Sequence, residues 1–147
     1  AVSTLRAMAE NYVGTDCFVC AVMDARCNQV YNAIFEIKNN EVIRLCNDRA
    51  LMCDELANEL KNNYQNIDKK IIITGDGTDI FFPFVEDIKN VRKSSQVLGF
   101  QNAVGVGLVA IKSFKNGDAL SADALLPFYL RLPQAERELK LKKETID

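Results

Sequence analysis

Three carboxylates stand where a metal-dependent nuclease would need them. Asp24 closes one apolar run, Glu55 opens the helical pattern that follows, and Asp76 comes directly after the next apolar run. Acids at two strand ends and one helix start are the donors that hold paired magnesium ions for phosphodiester hydrolysis. A structural account competes with this one. Glu55 falls in a first helical turn, where the macrodipole alone favours an acid. Asp76 lies between Gly75 and Gly77, a common turn setting. The same Gly75-Asp76-Gly77 would cradle a phosphate if a helix N-terminus followed it, but three residues are a short signal. Cys17 and Cys20 form a C-x-x-C inside an apolar run, with no second such pair. A strand would send their side chains to opposite faces, so they read as small buried hydrophobes. The chain has no histidine, which removes the commonest general base and the commonest transition-metal ligand together. We assign no catalytic residue, no cofactor-binding residue, no cofactor and no metal ligand, and expect a protein that is not an enzyme.

The 147 residues suit one domain with its own core. A net charge of −2 gives no general attraction for polyphosphate, so no direct nucleic-acid ligand is expected. The five cysteines are an odd number and no secretory signal opens the chain, so we expect reduced thiols in a cytoplasmic protein. The longest apolar run, Val104 to Ile111, is far short of the roughly 20 residues of a membrane span. A helical pattern begins almost at Ala1, as in a processed or excised fragment.

These residues need elements to place them. Leu5, Met8, Ala9 and Tyr12 share one helical face, with Ser3 as N-cap. Cys17 to Met23 is apolar throughout, as in a strand buried on both faces. After the polar turn Arg26-Cys27-Asn28, the residues Tyr31, Ala33, Phe35 and Ile37 alternate onto one face of a second strand. Lys38-Asn39-Asn40 turns the chain into a third strand, Val42 to Cys46. A helix over Asp54 to Tyr64 follows, then a short buried strand, Ile71 to Ile73. Thr78 to Val85 is aromatic and irregular, and Ile88 to Val91 is read as another short strand. The longest helix is expected from Ser95 to Phe114, with Val97, Leu98, Val104, Leu108, Ile111 and Phe114 as its apolar stripe and Gly117 as its stop. Gly105 and Gly107 inside it signal a close backbone approach. A helical turn near Ala122 to Leu126, an extended Phe128 to Arg131 and a charged tail over 134–147 complete the chain. Short connections make the first three strands an antiparallel meander. The fold class is α/β: a mixed sheet with packed helices, in the element order of a ribonuclease H-like or actin-like (ASKHA) lobe.

Three stretches carry a family resemblance. Val2 to Ala9 resembles the helix that follows the N-terminal lobe in TsaB (YeaZ) proteins. Met23 to Tyr31 resembles that family's D-A-R-x-x-x-V-Y segment, and Leu126 to Glu136 its closing P-x-Y-L-R-x-P-x-A-E signature. The resemblance marks Asp24, Arg26, Tyr31, Tyr129 and Arg131 as candidate motif or interaction residues. It implies that 1–147 is a single domain, the C-terminal lobe of a TsaB-like protein without its glycine-rich N-terminal lobe. It further implies a non-catalytic subunit that supports a TsaD-like catalytic partner and a TsaE-like ATPase in making threonylcarbamoyladenosine on tRNA. Ala25, Arg26 and Cys27 stand where nucleotide-binding actin-like lobes carry glycines, so ATP is not expected to bind. With the first lobe absent, the opening helix (Leu5, Met8, Tyr12) and Tyr129-Leu130 are expected to be uncovered and to favour a homodimer. A ribonuclease H-like nuclease using Asp24, Glu55 and Asp76 and a nucleotide-binding actin-like module are the alternatives.

Overall fold

The computed structural model describes residues 1–127, 129 and 130. Arg131 and the tail over 134–147 lie outside the described residues.

Helix α1 (Thr4–Glu10) starts where its cap allows: the Ser3 hydroxyl accepts the Arg6 amide at 3.2 Å. Strands β1 (Cys17–Asp24), β2 (Gln29–Lys38) and β3 (Glu41–Arg44) form the antiparallel meander. Asn39 and Asn40 both take positive φ, 52° and 60°, which lets the β2–β3 hairpin turn tightly with the right twist. A fourth strand, β4 (Arg49–Met52), was not expected. It pairs antiparallel with Gln29–Asn32 of β2, while β3 pairs with Phe35–Lys38. The two are halves of one strand along the same edge of β2, interrupted at Leu45–Asp48. Helix α2 (Cys53–Asn63) follows, then β5 (Lys70–Thr74), the short α3 (Thr78–Phe81), a 3₁₀ turn at Phe82–Phe84 and β6 (Val91–Lys93). The sheet order is β3-β2-β1-β5-β6 with β4 also on β2. β5 runs parallel to β1 and β6 parallel to β5, so the sheet is mixed.

The central strand explains the burial on both faces. Phe18, Cys20 and Val22 of β1 join Leu56, Leu60, Ile71, Ile73 and Phe81 in a core beneath α2 and α3. Cys17, Val19 and Ala21 turn the other way, to Leu5 and Met8 of α1 and Tyr12 just after it, with Phe35 and Ile37 of β2. The two cysteines of the C-x-x-C therefore serve different cores. Gly75, at φ 114°, lets the loop after β5 press on β1, because a Cβ there would stand 1.9 Å from the Val22 carbonyl oxygen.

Three expectations need correction. The strand read at Ile88–Val91 begins at Val91, where register with Ile71 starts; Ile88 instead accepts a turn bond from the Val91 amide. Helix α4 (Ala103–Lys115) starts well after Ser95. The preceding residues form a plug: the Leu98 carbonyl lies within hydrogen-bonding reach of Asn11, Tyr12 and Thr74, and Asn102 then caps the helix through the Gly105 amide at 2.8 Å. The apolar stripe of α4 faces outward. Val104 is 70% exposed and Phe114 75%, and Leu108 and Ile111 are also exposed. The reason is the order of layers. α1 buries its whole apolar side on the sheet, leaving α4 only the outer side of α1 to rest on. There Gly105 meets the Ala7 carbonyl, and Lys112 reaches the buried Glu10 carboxylate at 2.8 Å. Leu5, Met8 and Tyr12 are thus interior, and the uncovered apolar surface is on α4 rather than α1.

Candidate interaction site

At the C-terminal end of β1, segments that are far apart in sequence meet around a cleft of about 410 Å³. Met23 and Tyr31 face each other across the β1–β2 register and supply one wall. The start of α1, from Val2 to Leu5, supplies a second, and Tyr129 and Leu130 a third. Tyr129 is exposed and Leu130 half-buried. The polar rim is fixed by bonds within the protein. The Ser3 hydroxyl donates to the Asp48 carboxylate at 2.6 Å, and Asp48 is also paired with Arg44. The Arg44 guanidinium lies 4.7 Å above the Phe35 ring. Ser3 therefore both caps α1 and ties it to the loop between β3 and β4. Such a cleft offers two tyrosines, apolar walls and a carboxylate already in use.

Beside it, the turn from Asp24 to Asn28 is held closed. The Asp24 carboxylate accepts the Arg26 amide at 2.7 Å and pairs with the Arg26 guanidinium at 3.1 Å. Arg26, Cys27 and Asn28 have φ of 65°, 54° and 55°. Three successive left-handed residues, two of them neither glycine nor asparagine, store strain that the surroundings must hold. Part of the hold is the Asn28 carbonyl, which accepts the first amide of α2 from Cys53 at 2.9 Å.

Of the candidate residues, Tyr31 and Tyr129 are brought to one cleft, while Asp24 and Arg26 pair with each other on the adjacent turn. Arg131 lies outside the described residues. Asp48 and Arg44 escaped the sequence reading. Asp48 meets its partner Ser3 across forty-five residues, so no local pattern signals the bond.

The other constellations resolve differently. Glu55 accepts the Met52 amide at 3.0 Å, a helix-capping bond, and Asp76 is exposed. Among the described residues no group of three His, Cys, Asp or Glu side chains is placed to hold a metal ion. In Gly75-Asp76-Gly77 the Gly75 amide donates to Gly99 and the Gly77 amide to Val22, and the next amide, of Thr78, donates back to Gly75. Those donors are spent on the fold. Burial pushes the Cys20 thiol well up, against a hydrogen bond from Asn32, and burial likewise raises Cys17 and Cys53. None of these buried thiols is activated as a nucleophile. Among the described residues no helix is long and apolar enough to cross a membrane.

No protein-family model matches the chain. It is 26% identical over 136 residues to the tRNA threonylcarbamoyladenosine biosynthesis protein TsaB of Bacillus subtilis, covering 92% of this chain and 57% of that protein. Solved structures share its fold, and two of them serve as examples. One is described as an uncharacterized protein with similarity to peptidase YeaZ from Pseudomonas aeruginosa; it matches with a TM-score of 0.66 and 20% identity, over 89% of this chain and 58% of that one. The other is YeaZ from Pseudomonas aeruginosa, with a TM-score of 0.65 and 21% identity over 88% and 58%. The chain spans a little under three fifths of the length of these relatives.

Proposed function

We propose that the chain, similar in sequence to a TsaB protein and in fold to a YeaZ structure, serves the synthesis of threonylcarbamoyladenosine on tRNA as a non-catalytic, partner-binding lobe. In this reading it is the C-terminal lobe of a TsaB-like protein in the cytoplasm. It works with a TsaD-like catalytic subunit and a TsaE-like ATPase. The observation that carries it is the cleft at the end of β1, where the segments bearing the family motifs meet: Val2–Leu5, Met23 with Tyr31, and Tyr129–Leu130. Residues so distant in sequence share one surface in the way that a docking site requires. The sheet order, an antiparallel meander continued by two parallel strands, supports the actin-like reading of the lobe. The glycines near β1, whose amides are already bonded, speak for a scaffold rather than a nucleotide site.

The test is the modification itself. Cells lacking the gene for this chain should lose threonylcarbamoyladenosine from tRNA, read by mass spectrometry of digested nucleosides. Restoring the gene should restore it, and Tyr31→Ala with Tyr129→Ala should restore it only partly. An unchanged level in the deleted strain would remove the functional reading.

A further inference from the structure

A second concavity opens at the other end of β1, about 740 Å³ in volume, beside Cys17 and the starts of β5 and β6. Four cations line it, Lys69, Lys70, Lys89 and Arg92, against two carboxylates, Asp16 and Asp68. Lys69 is internally committed: it binds Asp16 and Glu36 at 2.6 Å each and sits 5.2 Å from the Phe18 ring centre. That bridge also uses the charge of Asp16. Lys70, Lys89 and Arg92 are exposed and have no carboxylate partner among the described residues. The parallel register of β5 and β6, with Ile71 opposite Val91, gathers all three at one rim.

The rim is built rather than loose. One amino group of Arg92, Nη1, donates to the carbonyls of Lys89 at 2.8 Å and Val91 at 2.6 Å, which fixes the guanidinium over the strand. The Asn90 amide donates to the carbonyls of Tyr64, Ile67 and Lys69, between 2.9 and 3.2 Å, and so pins the loop that forms the opposite wall. That wall presents the side-chain amides of Gln65 and Asn66. The chain as a whole carries −2, yet on this concavity three unpaired cations face one unpaired carboxylate, Asp68, and the excess gives a local attraction for polyanions.

We propose that this basin binds the sugar–phosphate backbone of a structured RNA, with Lys70, Lys89 and Arg92 on phosphates and the amides of Gln65 and Asn66 on ribose hydroxyls. The inference rests on the reading of the chain as a tRNA-modification protein and adds a direct contact to it. Among the described residues no aromatic ring lines the basin, so they offer no platform for stacking a base, and recognition falls on the backbone. An acidic protein segment is the rival occupant, since Cys17, Ile67 and Ile72 also line the basin, and competition by polyglutamate separates the two.

The experiment is fluorescence anisotropy of labelled tRNA with the 147-residue chain. Three phosphate contacts give a salt slope of about −2.1 to −2.7, so affinity should fall roughly 20–40-fold between 50 and 200 mM salt. Lys70→Glu with Lys89→Glu should abolish binding. Lys70→Gln with Lys89→Gln should weaken it and flatten the slope by about 1.5. Lys93→Glu with Lys115→Glu makes the same charge change outside the basin and should leave affinity within about twofold. Three results would overturn the proposal: no binding at 50 mM salt, equal loss in the outside pair, or competition by polyglutamate as effective as by unlabelled tRNA. Deletion of the gene tests the pathway and anisotropy tests the contact, so the two readings fail separately.

Discussion

The two glycines of α4 should respond in opposite directions to the same substitution. A Cβ on Gly105 would stand 2.3 Å from the Ala7 carbonyl oxygen of α1, whereas one on Gly107 meets nothing within 4 Å. In a helix interior alanine is favoured over glycine by about 0.8–1 kcal/mol. Gly107→Ala should gain nearly all of that. Gly105→Ala gains less, since it lies in the first turn, and must push α4 off α1 by about an ångström to reach ordinary contact. Overpacking of this kind costs about 1–3 kcal/mol, so the net change should be a loss of about 1–2 kcal/mol. For a chain of this length 1 kcal/mol corresponds to roughly 2–4 °C in Tm. Thermal unfolding followed by circular dichroism should place Gly107→Ala about 2–4 °C above the parent and Gly105→Ala several degrees below it. If Gly105→Ala stabilises as much as Gly107→Ala, α4 does not rest on Ala7 and the outer layer is wrongly placed.

Three further substitutions probe other features. Cys27→Gly should stabilise the chain by about 0.5–1 kcal/mol in urea titration, because the relief of a left-handed residue outweighs the added freedom of the unfolded chain; a loss would show that the Arg26–Asn28 turn has another shape. Glu10→Gln removes the buried carboxylate that binds Lys112 and Arg6. Both partners are partly exposed and regain water, so the expected cost is about 1–2 kcal/mol in the urea midpoint, and an unchanged midpoint would refute the clamp. Stability should also fall in alkali. The folded Cys20 thiol holds its proton above the range in which an unfolded thiol loses it, so the contribution is whole below about pH 8.5 and is lost as pH rises beyond that, by about 1.4 kcal/mol per pH unit. Cys20→Ala should make the alkaline limb shallower, and an unaltered limb would assign it to other groups.

The parts that could be read from sequence are those in which a period and a neighbour agree. β1 has no polar residue until Asp24, and a strand with such a run must be covered on both sides, as it is by α1 and α2. Ser3 announced α1 because capping is a local bond. β4 was illegible, since Arg49-Ala50-Leu51-Met52 has no alternation and is a strand only because Gln29–Asn32 pairs with it. The stripe on α4 was seen, but a helical period reports a face and not what the face meets. At the motif cleft, Tyr31 and Tyr129 were marked by resemblance, while Asp48 and Arg44 depend on a tertiary bond to Ser3 and left no trace in the order of residues.

The interruption at Leu45–Asp48 has a further effect on how copies of the chain behave in a crowded solution. An unbroken outer strand would present a row of free amides and carbonyls on which another chain could lengthen the sheet. Here that border is two pieces of four residues each, β3 and β4, parted by a loop whose Asp48 is held by Ser3 and Arg44. The opposite border, β6, is three residues long and carries Arg92 and Lys93. Neither border offers a template long enough to recruit a strand from a neighbour, so the sheet is guarded against edge-to-edge aggregation from both sides.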